Sequence, residues 1–130
     1  MSLNNHAIYK TFIASASITA LTLVKQDSDA KIVPCTASTD VPVGVAQLAG
    51  ASGDAINVCI SGISRVVAGG TITAGTNFFV QPGLAGKVYA YDGTGAGTQI
   101  IAGRFLPNVA NTAASANEEI EILLNVSLGV

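Results

Sequence analysis

This sequence has little of what chemistry at neutral pH is made from. In 130 residues there are one histidine, two cysteines and no tryptophan, with six basic and eight acidic side chains. Active sites are assembled from a tuned histidine, a paired carboxylate, an activated nucleophile or a metal cluster. No acid/base pair or nucleophile constellation can be put together from this inventory, so the expectation is a protein that is not an enzyme. The formal net charge is -2 and there is no Lys/Arg cluster, which leaves out the electrostatic footprint of direct nucleic-acid binding.

Cysteine is equally sparse. Cys35 closes Ile32-Val33-Pro34-Cys35 and Cys59 lies within Ile56-Asn57-Val58-Cys59-Ile60. Their spacing fits no zinc or redox motif, so both read as buried free thiols of a chain that folds in a reducing cytoplasm. Long apolar runs are missing too. The best candidate, Thr11 to Val24 between Lys10 and Lys25, carries two serines and three threonines and falls short of the roughly 20 apolar residues of a spanning helix. Met1 to Lys10 holds one basic residue and Ala14-Ser15-Ala16 stands at the start of the run, which is the wrong order for a signal peptide. No membrane partner is expected.

What is present is apolar and β-branched. The chain is 49% hydrophobic and 11% charged, far from the balance that keeps chains disordered. Its length suits one domain with a sizeable core. With so few ionic groups to cover the surface, part of an apolar face is expected to meet another chain, as in a homo-oligomer or larger assembly.

Short β-type segments recur between Gly, Pro, Asn and Asp: Thr11 to Ser17, Thr19 to Val24, Lys31 to Pro34, Gly44 to Leu48, Ala55 to Val67, Phe78 to Gln81, Lys87 to Tyr91, Gln99 to Leu106 and Glu119 to Val126. Asn111 to Asn117 has good helix formers but no capping box or apolar stripe, and reads as a loop or one turn. There is no internal repeat. The expected fold is therefore all-β: a single small β-barrel or sandwich-like domain, residues 11–130, with short strands and Gly-rich turns. A polar N-terminal arm, residues 1–10, precedes it.

Several clusters resemble chemistry and have plainer readings. Gly93-Thr94-Gly95-Ala96-Gly97-Thr98 misses the G-x-G-x-x-G spacing and precedes a strand rather than a helix, so it reads as a hairpin loop. Asp27 and Asp29 offer two oxygens where calcium needs six to eight ligands. Asp54 and Asp92 sit beside glycines in turns, where an Asp side chain bonds the local backbone. Neither a metal nor a cofactor is expected. His6 has no neighbouring carboxylate or thiol to orient it and reads as a surface contact. Ser15, Ser17, Ser61 and Ser64 lack the nucleophile-elbow context. Arg65 and Arg104 lie in strand-like apolar runs and need partners, for which Glu118, Glu119 and Glu121 are candidates within one subunit or across a subunit interface.

One ordered series is more specific: Asp40-Val41-Pro42-Val43-Gly44-Val45-Ala46, Ala68-Gly69-Gly70-Thr71-Ile72-Thr73-Ala74-Gly75-Thr76, Gly86-Lys87-Val88 and Ile100-Ile101-Ala102-Gly103-Arg104-Phe105, closed by the alternating Glu119 to Leu124. It resembles the small capsid cement, or head-decoration, proteins of tailed bacteriophages, over roughly residues 10 to 125. Phe105 stands where that family often has a small residue, and the Gly-rich stretch Gly93 to Gly97 is this chain's own. The resemblance implies a compact β-barrel-like virion protein on the outer surface of the head. It would commonly be a trimer, clamping neighbouring major capsid protein subunits. A clamp that binds the assembled shell shifts the equilibrium away from disassembly without catalysis. On this reading the arm orders on the capsid, with His6, Ile8, Tyr9 and Phe12 as contacts.

Two other classes remain. A biotinyl- or lipoyl-type carrier has short strands and Gly-rich turns, and Lys87 follows a glycine at an expected hairpin, but its neighbours Gly86 and Val88 are unlike the usual Met or acidic flanks. A carbohydrate-binding or adhesin-like β-module would use its loops, against which stand 5% aromatics and no Trp.

Overall fold

The computed structural model describes residues 7–72, 79–91, 100–107 and 113–128. Nine strands run through them: β1 (Ile8–Ile13), β2 (Leu23–Gln26), β3 (Ile32–Pro34), β4 (Gly44–Ala46), β5 (Ala55–Val67), β6 (Phe79–Pro82), β7 (Val88–Ala90), β8 (Ile100–Phe105) and β9 (Glu119–Leu128). A 3-10 turn, Leu84–Gly86, joins β6 to β7. All ladders are antiparallel, in the order β3-β2-β4-β5-β9-β8-β6-β7, with β1 added on β5. The result is all-β, a curled half-barrel, as the strand spacing leads one to expect.

The 13-residue β5 organises the molecule. Its first half pairs with β1 and β4, and its second half with β9. Gly62, at φ +98°, lies between the halves. Before it, Ile56 and Val58 enter one hydrophobic cluster with Ala14, Ile18, Val24, Ile32 and Ala46. After it, Val66 enters the larger one, with Leu23, Val45, Val80, Val88, Phe105, Ile120, Ile122 and Leu124 among its members. Successive strand residues face opposite ways, so Leu23 and Val24, like Val45 and Ala46, divide between the two clusters. Burial on both faces explains why these strands read as continuous apolar runs rather than alternating ones.

The curl brings the two ends of the strand order together. The Gly86 amide donates to the Cys35 carbonyl after β3 at 2.8 Å, and the Ile100 amide to the Ser38 carbonyl at 2.9 Å. Gly86 must be glycine there. Its φ is +70°, and a Cβ would meet the Leu23 carbonyl oxygen and Thr22 Cβ, each at 2.8 Å. On the other side of the hairpin the Tyr89 ring lies between Gly69 and Gly83, so close to both that a methyl group on either would overlap the ring. Two glycines of the ordered series, Gly69 and Gly86, are thus explained, with Gly83, by close approach around the β6–β7 hairpin.

Some boundaries differ from the sequence expectation. β1 begins at Ile8, so Ile8 to Lys10 are strand paired with β5 rather than the end of a polar arm; residues 1–6 lie outside the described residues. β1 stops at Ile13; Ala14 bridges Ile32, while its amide donates to the Asp54 carbonyl just before β5 at 2.9 Å. β2 starts at Leu23, not Thr19: Leu21 takes φ +61° and Thr22 Oγ1 donates to the Thr19 carbonyl at 2.7 Å, making a turn of Thr19 to Thr22. Ala113 to Asn117 form no helix, and Ala114 bridges Ile72. Asp92, the hairpin loop expected at Gly93 to Thr98, and residues 73–78 lie outside the described residues.

Polar residues lock the loops. Asp40 accepts from Lys25 Nζ at 2.9 Å and from the Thr36 and Ala37 amides at 2.7 and 3.1 Å. Burial alone would raise its pKa, but those hydrogen bonds and the Lys25 charge outweigh it and hold the carboxyl below its ordinary range. A depressed folded-state pKa means the stabilisation is complete above the unfolded-state value and is lost as pH falls through the folded one. Asp40→Asn is therefore expected to be less stable than the wild type at about pH 7 and to converge with it by about pH 2, as urea melts at the two pH values will read.

Candidate functional site

Among the described residues, buried polar chemistry offers no site. Among the described residues no group of three or more His, Cys, Asp or Glu side chains could hold a metal ion. Asp27 spends one oxygen on the Asp29 and Lys31 amides and the other on Ser15 Oγ at 2.6 Å. The Ser15 hydroxyl leads the causes that lower its pKa, so this is a turn-locking carboxylate. Asp54 Oδ2 accepts from the Ala51 amide at 2.8 Å, in the same manner. Cys35 and Cys59 are free and buried. Burial, assisted by the Asp40 carboxylate, pushes the Cys35 thiol up to about 12, and burial raises Cys59 as well. Thiols this reluctant to ionise are inert. Intact-mass measurement after iodoacetamide at about pH 8 is expected to show no adduct on the native protein and full labelling in guanidinium.

Lys87 does lie in the β6–β7 hairpin, but its ammonium group donates to Asn117 Oδ1 at 2.7 Å and ties the hairpin to the turn before β9. A side chain used in this way is not presented at a loop tip for modification.

The unusual features are on the surface, where two apolar areas stand out. The first is β1, whose only described ladder is with β5. Ile8, Tyr9 and Ile13 are 55%, 51% and 41% exposed. Ile8 and Tyr9, expected as contacts, therefore present their side chains to solvent. Phe12 does not: it is partly buried against the cluster of Ile56 and Val58 and serves the fold. His6 lies outside the described residues.

The second area crosses the outer face of β6, β8, β9 and β5. Phe79 pairs with Arg104, Arg104 with Leu123, and Leu123 with Ile63, making one row across four strands. Phe79 and Leu123 are exposed large hydrophobics. A depression of about 270 Å³ on this face is lined by Phe79, Ile101, Gly103, Arg104, Leu123 and Asn125. Beside the row, Arg65 is opposite Glu121 in the ladder and its Nη1 stands 3.5 Å from Glu119 Oε1. The structure thus brings Arg65, Arg104, Glu119 and Glu121 onto one face. The Arg65–Glu119 pair is exposed at both ends, so Arg65→Ala is expected to change stability by less than about 0.5 kcal/mol in a thermal melt.

Phe79, Ile63 and Leu123 were not singled out in the sequence. A signal existed for one of them. Glu119-Ile120-Glu121-Ile122 alternates, but Leu123-Leu124 breaks the alternation. With Leu124 buried, Leu123 has to face out.

No protein-family model matches this sequence. No curated protein matches it either. Among solved structures the chain is similar to the N base of the head fiber gp8.5 of bacteriophage phi29, with a TM-score of 0.68 and 20% identity over 92% of this chain and 94% of that one. At that identity the likeness is one of fold, and it extends over nearly the whole of both chains.

Proposed function

We propose that this chain is a structural protein of a phage head, attached to the outer surface of the capsid. There, as a trimer, it stabilises the shell by clamping neighbouring major capsid protein subunits, and it catalyses no reaction. The observation that carries this reading is the chain-length likeness in fold to the base of a phage head fiber. The ordered Gly-containing series supports it independently, since Gly69 and Gly86 are required by close packing in this fold. The physical case rests on β1. A strand with Ile8, Tyr9 and Ile13 turned to solvent gives a partner apolar anchors, and tyrosine is among the residues that most often dominate interface energies.

Binding the assembled shell and not its free subunits stabilises the shell by mass action. A contact with few charges, repeated at many sites, does so without desolvating many ions. The test is quantitative mass spectrometry of purified particles of the virus that encodes the chain, with immunogold labelling of intact heads. The expected result is many copies per head, labelled without opening the particle. Absence from the particle, or labelling that requires its disruption, would refute the outer-surface role.

A further inference from the structure

We infer that β1 is a latch: a strand that opens from β5 while the rest of the sheet stays folded, and that a shell seated on its exposed side chains holds shut. The opening follows from the fold alone. Its closure by the shell rests on the role proposed above.

Three observations carry the inference. The first is how little of β1 lies in a core. Every other strand places at least one buried side chain in one of the two clusters, whereas five of the six β1 residues are exposed and Phe12 is only partly buried. Opening β1 therefore uncovers little apolar surface, and folded proteins open first where buried contacts are few. The second is connectivity. Among the described residues β1 forms one ladder, six pairs long, with an irregularity between Ile8 and Tyr9. Cys59 pairs with both Tyr9 and Val45, so β1 and β4 lie on opposite edges of β5. When β1 leaves, β5 keeps β4 there and keeps β9 along Gly62 to Val67. No other ladder is broken. The third is a fixed boundary. Ala14 is buried in the cluster of Ile56 and Val58, and its amide donates to the Asp54 carbonyl at 2.9 Å. The next amide, of Ser15, donates to the Ile32 carbonyl at 3.0 Å. The chain is thus anchored immediately after Ile13, and the opening ends there.

Closure uses the other side of the same strand. Ile8, Tyr9 and Ile13 face solvent, and a partner that binds them only in the paired strand favours the closed state by mass action.

The experiment is hydrogen exchange on the full chain, read by NMR over a series of low urea concentrations and repeated on Ile122→Val. The slowest amides of Ile8 to Ile13 are expected to exchange at least about 100-fold faster than the slowest of Glu119 to Leu124, and with a weaker dependence on urea because less surface is exposed. Ile122→Val weakens the larger core, which holds no β1 residue. It is expected to speed the β9 amides by about 5-fold and to leave the β1 rates unchanged. Equal rates and urea dependences in the two strands would overturn the latch, and so would a β1 rate that rises with that of β9 in Ile122→Val. The same exchange, read by mass spectrometry on expanded, empty capsids, tests the closure. There the β1 rates are expected to fall by at least about 10-fold. Fast β1 exchange that capsids leave unchanged upholds the opening and removes the shell from β1. Capsid binding by a chain whose β1 exchanges as slowly as β9 upholds the capsid role and removes the latch.

Discussion

Gly103→Ala is expected to cost about 3 kcal/mol or more and to lower the midpoint of thermal unfolding by roughly 10 °C. Gly103 pairs with Leu124 immediately after an irregularity in the β8–β9 register. There its backbone comes so close to β9 that a Cβ would overlap the Leu123 carbonyl oxygen, with the Leu123 carbonyl carbon at 3.1 Å and Leu124 Cα at 3.2 Å. All three are backbone atoms, so no side chain can rotate away. One strand has to move, and β8 and β9 both contribute to the larger core. Gly70→Ala is the control. Its Cβ would meet Tyr89 at 3.5 Å, an ordinary contact, and its melting curve should lie within about 0.5 kcal/mol of the wild type.

The second large effect is on capsid association. The double variant Ile8→Asp, Tyr9→Asp is expected to weaken binding to capsids by at least about 30-fold, the loss associated with one interface hot spot. Its far-UV spectrum should be unchanged, because both side chains face solvent and the ladder to β5 uses backbone groups. If copies associate on the shell, the loss is larger, since each copy forfeits its own anchor and the avidity between them. Phe12→Asp is expected to behave differently. It should lose stability, because Phe12 packs on the cluster of Ile56 and Val58, and any effect on binding should follow the unfolded fraction.

Much of the fold is legible in the sequence where local chemistry and tertiary structure agree. Ala55 to Val67 has strand bounds identical to its observed ones, because β-branched residues fill it and turn residues precede it. The same holds closely for Ile100 to Phe105 and for Glu119 onward. Legibility fails at the N-terminal side. Thr19 to Thr22 has strand-like composition, yet Thr22 Oγ1 bonds the Thr19 carbonyl and Leu21 adopts a left-handed backbone. A threonine's own hydrogen bond there outweighs its β preference. Ile8 to Lys10 reads as a polar leader by its surroundings, Met1-Ser2-Leu3-Asn4-Asn5-His6, and only pairing with β5 makes it a strand.

The surfaces were less legible than the strands. Arg65, Arg104, Glu119 and Glu121 could be grouped because charged residues in apolar runs need partners, and the ladders put them on one face. Their apolar companions could not be found in the same way. Phe79 and Ile63 are ordinary strand residues, and the face each presents is set by its strand's place in the sheet, as for Ile63 just after Gly62, where β5 passes from one core to the other. That crossing is a property of the whole sheet, which no local pattern records.

The central claim is tested most directly by co-sedimentation of the purified chain with expanded, empty capsids of the neighbouring major capsid protein, with immature shells alongside. The account predicts saturable binding to the expanded shells, little to the immature ones, and a raised resistance of the decorated shells to heat. Failure to bind either form, or binding that leaves heat resistance unchanged, would contradict it.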